Sequence, residues 1–194
     1  MGQLIGGLST AALQPEEVIE LQQMCHFTQS EIRRLYKRFR KLDTSKSGGV
    51  TRKDLLKIPE LSMNPLAQRI TSLFQSEDQV DGSCVNFRDF LRMLSVFSER
   101  AGREEKERMA FRVYDINRDG FITENDLYEV LKTMIGENVS DKALWEVVRE
   151  TITDADLDGD GKLSLAEFQN VMRDEDFHSK MTIEFTDPNI RLDQ

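Results

Sequence analysis

Twelve consecutive residues, Asp156-Leu157-Asp158-Gly159-Asp160-Gly161-Lys162-Leu163-Ser164-Leu165-Ala166-Glu167, constrain this chain more than any other stretch. Asp156, Asp158 and Asp160 stand at the first, third and fifth places, and Glu167 at the twelfth. A hard cation such as Ca²⁺ takes six to eight oxygens. This spacing offers three carboxylates, the Lys162 carbonyl, a water held by Ser164 and a bidentate glutamate. Gly161 fills the sixth place, where the chain turns too sharply for most side chains. Leu163, at the eighth, is placed to enter a core from a short strand paired with a neighbouring loop. A merely acidic, solvated turn does not require ligand spacing, glycine, core residue and terminal glutamate to coincide.

The pattern recurs upstream in three states of decay, as four EF-hand units at a spacing of roughly 35–40 residues. In Asp115–Asp126 the ligand places hold Asp115, Asn117 and Asp119, then the Phe121 carbonyl and Thr123, with Gly120 and Ile122 in the structural places. The last ligand is Asp126 where glutamate is expected. The shorter arm predicts weaker Ca²⁺ binding, or a site that also accepts Mg²⁺. In Asp43–Asp54, Gly48 and Val50 keep the turn and the core contact, but Ser45 and Ser47 replace two carboxylates. In Asp78–Asp89, Val80 and Gly82 fall on ligand places. These two loops are expected to bind nothing. EF-hands support one another through the strand contact between paired loops, which is a reason for ion-dead hands to persist.

Helical patterning brackets the loops. Pro15-Glu16-Glu17 opens a short helix, and Thr28 with Glu31 forms a capping box ahead of Ile32, Leu35, Tyr36, Phe39 and Leu42. Thr51 with Asp54 repeats the capping arrangement, so the helix after the first loop can form without an ion. Pro59 is read as the end of that helix and Asn64-Pro65 as the cap and first turn of the next. Gly136 is placed to cap a helix bearing Leu127, Val130, Leu131, Met134 and Ile135, and Ser140 to start another. The tail Met181-Thr182-Ile183-Glu184-Phe185 alternates like a short strand. The expected fold is therefore all-α and calmodulin-like, with four EF-hands in two paired lobes and short two-stranded contacts between loops. Its divisions are an N-terminal segment 1–27, a lobe of two degenerate hands 28–98, a linker 99–108, a lobe of two metal-binding hands 109–173 and a tail 174–194. The charged stretch 98–108 reads equally as a linker or a solvated helix.

Charge agrees with this division. Residues 1–100 carry 14 basic and 12 acidic side chains, whereas residues 101–194 carry 12 and 23. An acidic second half suits cations and argues against nucleic acid as the main partner. Cys25 and Cys84 are too few for a disulfide framework and read as free thiols. With no apolar run near the roughly 20 residues of a membrane span and no secretory signal, a cytoplasmic location is expected. Gly2 invites N-terminal acylation, and with it peripheral membrane association, but Gly6 stands where serine or threonine is usual. Acylation and a frayed terminus both stay open.

Outside the ion ligands, Ile32-Arg33-Arg34-Leu35-Tyr36-Lys37-Arg38-Phe39, Ile58-Pro59-Glu60-Leu61 with Asn64-Pro65-Leu66, and Ala110-Phe111-Arg112-Val113-Tyr114-Asp115 resemble the calcineurin B family over residues 25–186. That family includes the calcineurin B homologous proteins. The dead first and second loops and the tail Lys180-Met181-Thr182-Ile183-Glu184-Phe185 look like the homologous-protein branch, the short linker like calcineurin B itself. Asp126 departs from both. The resemblance implies a non-enzymatic protein, often myristoylated, that cradles an amphipathic helix. That helix would come from a phosphatase catalytic subunit or from the cytoplasmic segment of a sodium/proton exchanger.

Three functions are weighed on the residues. A regulatory subunit would hold a partner helix in an apolar groove drawn from Leu73, Phe90, Leu94, Phe97, Leu131, Met134, Phe168 and Met172, with Leu55, Leu56 and Val148 as further candidates. The alternative for all of them is ordinary core. A calcium sensor or buffer without a dedicated partner would have only two live loops, one of them compromised. An enzyme lacks its parts here, since His26 and His178 are isolated and no nucleophile–base constellation or phosphate loop is present.

Overall fold

In the computed structural model, residues 13–73 and 84–173 are described. Gly2, Phe74, the first half of the loop from Asp78 and the alternating tail lie outside them. The elements run α1 (Pro15–Gln22), α2 (Gln29–Leu42), β1 (Gly49–Val50), α3 (Arg52–Leu55), α4 (Pro59–Ser62), α5 (Ala67–Ser72), β2 (Val85–Asn86), α6 (Phe87–Val96), α7 (Arg103–Tyr114), α8 (Glu124–Ile135), a 3₁₀ turn (Gly136–Asn138), α9 (Asp141–Ala155) and α10 (Leu165–Val171). The fold is all-α, with strand pairing among the described residues confined to short contacts between loops.

Helix starts follow the side-chain oxygens. Thr28, Thr51, Thr123 and Ser164 each accept from the backbone N–H three residues on, while the acid at that third position bonds back to the cap. Each reciprocal pair satisfies two backbone donors that a helix end otherwise leaves open. Gly136 ends α8 at φ 65°, a conformation that costs most other residues.

Two boundaries differ from the sequence reading. The first helix after Thr51 stops at Leu55, and Pro59 begins α4 rather than ending anything. Proline suits that place because a first-turn N–H has no helical partner to lose. The next helix starts at Ala67, not at Pro65. The Asn64 side chain accepts the Leu66 N–H at 2.8 Å, closing Asn64-Pro65-Leu66 into a turn before the helix proper.

The described residues divide into two compact units, 13–62 with 84–101 and 63–73 with 102–173. In the first, Tyr36 and Phe39 of α2 meet Phe87 of α6 with ring centroids at 4.9 and 5.3 Å, and Phe90 lies 5.3 Å from Phe39. Val50 pairs with Val85 in the antiparallel β1–β2 ladder, both buried. In the second, Phe111, Ile122, Leu127, Val148, Ile152, Leu163 and Phe168 form one core, with Phe111 and Phe168 edge to face at 5.6 Å. Within the charged stretch 98–108, residues from Arg103 onward are the first turns of α7. There Glu107 is buried, accepting from Arg103 Nε at 2.7 Å and from Gln169 Nε2 at 3.0 Å.

Candidate metal centre

In the fourth loop, Gly161 at φ 83° folds the chain back so that its N–H reaches Asp156 Oδ2 at 2.7 Å, while the Gly159 N–H reaches Oδ1 at 2.8 Å. Those bonds, that of Gly161 foremost, hold the Asp156 carboxyl below its ordinary range. Glu167 is anchored from both ends. Oε2 accepts the Ser164 hydroxyl at 2.7 Å and its N–H at 2.8 Å, and Oε1 accepts the N–H groups of Leu157 at 2.8 Å and Asp158 at 3.3 Å. The Ser164 hydroxyl and N–H, followed by the Leu157 N–H, lower its pKa to about 2. Asp158 goes the other way. A bond from the Asp160 N–H pulls it down, but desolvation and the negative charges of Asp160, Glu167 and Asp156 outweigh that bond and raise it. Carboxylates of Asp156, Asp158 and Glu167 converge within 4.8 Å of one another, the one such group of His, Cys, Asp or Glu among the described residues. Like charges so close are held by backbone N–H groups, and their mutual repulsion is what a divalent cation relieves.

Asp160 stands apart from that group. It accepts the Lys162 N–H at 3.1 Å and lies 3.8 Å from the Lys162 ammonium. The ammonium also sits 3.4 Å from the centroid of Phe121, the seventh residue of the third loop. Beside this contact, Ile122 and Leu163 exchange two backbone hydrogen bonds of 2.9 Å, joining the third and fourth loops back to back.

The third loop is built alike with fewer charges. Asp115 accepts from the N–H groups of Asp119 at 3.2 Å and Gly120 at 3.0 Å, and Gly120 has φ 88°. Asp126 accepts the Thr123 hydroxyl at 2.6 Å and N–H at 3.0 Å, and the Ile116 N–H at 3.3 Å. Asn117 donates to Asp119 at 2.9 Å, so two ligand side chains are bonded to each other. Asp115, Asp119 and Asp126 do not gather as the fourth loop's acids do.

The first loop keeps the frame but satisfies its own acids. Asp43 accepts from the Ser45 hydroxyl at 3.0 Å, the Ser47 N–H at 3.0 Å and the Gly48 N–H at 2.8 Å. Burial pushes its carboxyl up, and those bonds, Gly48 first, hold it below the usual range in spite of that. Asp54 binds Thr51 through one oxygen and the Lys57 ammonium through the other, at 2.7 Å, and Lys57 is the main cause of its lowered pKa.

The residues read as a groove are placed mostly inside. Leu73, Phe90, Leu94, Phe97 and Phe168 are buried, as are Leu55 and Val148. Leu131 and Met172 pack partly buried against the second core, Leu56 is half-buried, and Met134 is 45% exposed. Three contacts had no signal in ligand spacing: the Lys57–Asp54 pair, Lys162 on Phe121, and Arg69, whose guanidinium reaches the main chain at the start of the third loop.

An all-oxygen donor set, turned by glycine at the sixth place and closed by a doubly anchored carboxylate at the twelfth, fits Ca²⁺ at the fourth loop. The third loop fits with a shorter final arm. Comparison with known proteins agrees. The EF-hand domain pair family matches residues 104–173. The calcineurin B subunit of Naegleria gruberi is 47% identical over 177 residues, covering 91% of this chain and 98% of that protein. The type 2 calcineurin B subunit of Dictyostelium discoideum is 42% identical over 84% of this chain and 88% of its own. Its type 2 counterpart in Homo sapiens is 42% identical over 83% and 94%. With near full-length coverage on both sides, the chain belongs to the calcineurin B family.

Proposed function

We propose that this chain is the calcium-binding regulatory subunit of a phosphatase, taking Ca²⁺ in its third and fourth loops and holding a helix of the catalytic subunit. It is not itself an enzyme. What carries the calcium part is the convergence of Asp156, Asp158 and Glu167 within 4.8 Å on a loop bonded into shape by its own backbone. Asp156, Asp158, Asp160, the Lys162 carbonyl, Ser164 and Glu167 would hold one ion. Asp115, Asn117, Asp119, the Phe121 carbonyl, Thr123 and Asp126 would hold the other. Ca²⁺ supplies charge neutralisation and a fixed coordination shell rather than chemistry. Mg²⁺ competes best at the third loop, where Asp126 favours a smaller shell.

The partner follows from the relatives, which are named as subunits of calcineurin. None of them favours an exchanger, and the phosphatase helix is the reading adopted. Met134, Val147 and Val171 are exposed at 45, 52 and 49%, on α8, α9 and α10, and supply apolar surface on the ion-binding unit. Binding an amphipathic helix there buries apolar area and gives a negative heat-capacity change. Calorimetry with a peptide from a phosphatase catalytic subunit, in Ca²⁺ and in chelator, tests this. Saturable binding with that signature supports the reading, and silence under both conditions leaves the buffer alternative. The proposal includes a cytoplasmic location. An acyl chain on Gly2, with peripheral membrane contact, is a separate element that the mass of the N-terminal peptide decides.

A further inference from the structure

Helix α5 and the third loop are clasped by three arginines. Arg69, half-buried in α5, donates through Nε to the Val113 carbonyl at 3.2 Å, and through one terminal nitrogen to the carbonyls of Arg112 at 2.9 Å and of Asp115. Those acceptors are the last carbonyls of α7 and the main chain of the third loop's first ligand. In return, Arg112 donates to the Leu73 carbonyl at 3.4 Å and Arg118, the fourth residue of the loop, to the Ser72 carbonyl at 3.2 Å. The two helices therefore cap each other's C-termini, where carbonyls lack helical partners and the dipole favours a cation. Among the described residues no such clasp is recorded on the fourth loop, where Gly159 occupies the place of Arg118.

α5 is the incoming helix of the ion-dead second hand, yet it falls in the unit of the third loop, while β2 and α6 of that same hand fall in the other unit. A ligand-bearing main chain held by a rigid fork from another hand cannot change its turn without disturbing that fork. We propose that Arg69 is a positioning residue for the third loop, setting its divalent-ion affinity and making ion binding there and the docking of α5 a single linked event. This rests on the reading that the third loop takes Ca²⁺. By linkage, whatever α5 contributes to ion affinity, the ion returns to the stability of α5. The ion state of the third loop is thereby passed along the chain into the second hand, giving a dead hand a use beyond packing.

The test uses the full chain carrying Glu167→Gln, which leaves the third loop as the site read by calorimetry, together with hydrogen exchange of the α5 amides. Arg69→Lys keeps the charge and loses the planar fork, so an effect reports on geometry rather than on cation repulsion. The expected results are Ca²⁺-induced protection of residues 67–73 in the parent, its disappearance in the variant, and a loss of roughly fivefold or more in Ca²⁺ affinity. Arg118→Ala, at an exposed position, should produce the same pattern more weakly and guards against misfolding of the first variant. Unchanged affinity in both variants, or α5 exchange that ignores Ca²⁺ in the parent, overturns the inference while leaving the site standing. If the Glu167→Gln chain binds no ion at all, the third-loop reading fails and takes the inference with it.

Discussion

The first and fourth loops share a frame and differ in what fills it. Both turn at a sixth-place glycine with φ 85° and 83°, both join a neighbouring loop through an eighth-place aliphatic residue, and both end in a capping box. In the first loop, Asp43 and Asp54 find their partners inside the protein, in serine hydroxyls, backbone N–H groups and the Lys57 ammonium. In the fourth, Asp156 and Glu167 are likewise held by the loop's own donors. The difference is Asp158, which stands where the first loop has Ser45. Its bond from the Asp160 N–H is outweighed by desolvation and the charges of Asp160, Glu167 and Asp156, which raise its pKa. Scaffold and ion site are thus separable. The hydrophobic frame and the caps make a hand whether or not the ligand places are filled with acids.

The separation predicts a graded set of effects. Glu167→Gln should take the fourth loop out of the sensor range of about 10⁻⁷ to 10⁻⁵ M and remove its binding from the calorimetric isotherm. An unchanged isotherm breaks the assignment. Phe87→Ala, at the centre of the α2–α6 ring cluster, should cost about 3–5 kcal/mol. With the first loop expected to take no ion, the cost in the first unit's denaturant midpoint should be equal in Ca²⁺ and in chelator. A calcium-dependent cost would mean that the frame does rely on an ion. Converting the first loop with Ser45→Asp, Ser47→Asp and Asp54→Glu should add one weak site of about 10⁻⁴ to 10⁻³ M. Adding Lys57→Met should strengthen it by removing the resident cation. Asp126→Glu should raise the preference of the third loop for Ca²⁺ over Mg²⁺, and a lowered ratio contradicts the argument from side-chain reach.

The smallest effect is set by pH in the first unit. Burial pushes the Glu31 carboxyl up, but the bonds from the Thr28 N–H, Arg100 and the Thr28 hydroxyl outweigh it and depress the pKa. A depressed folded value means the stability from Glu31 is fully present above the unfolded carboxylate range. It is lost as pH falls from that range through the lower folded pKa. Removing the charge with Glu31→Gln, which keeps a capping-box residue but loses the Arg100 ion pair, should cost about 1 kcal/mol or less at pH 7 and less toward pH 3. A difference that grows on acidification refutes the sign.

Much of this was legible in the sequence because it is local. Sixth-place glycine turns and the reciprocal caps at Thr28, Thr51, Thr123 and Ser164 are set by residues within twelve positions of one another. The pairings Val50–Val85 and Ile122–Leu163 followed from the eighth-place rule. What escaped depends on which partner a side chain chooses, near or far along the chain. Asn64 closing a turn on Leu66 shifted a helix start by two residues. Lys162 spends its charge on Asp160 and the Phe121 ring, and Arg69 reaches carbonyls more than forty residues away. No periodicity marks such contacts. The core and the groove could not be divided for a related reason, since Phe90, Leu94 and Met134 share helical spacing but only burial separates the first two from the third.

The central claim, that two of four hands hold ions, is tested most directly by a calorimetric Ca²⁺ titration of the full chain followed to millimolar concentration. The account predicts two ions, the tighter one lost with Glu167→Gln and the weaker one with Asp126→Asn. Three or four ions, or a single class of sites indifferent to both substitutions, would contradict it.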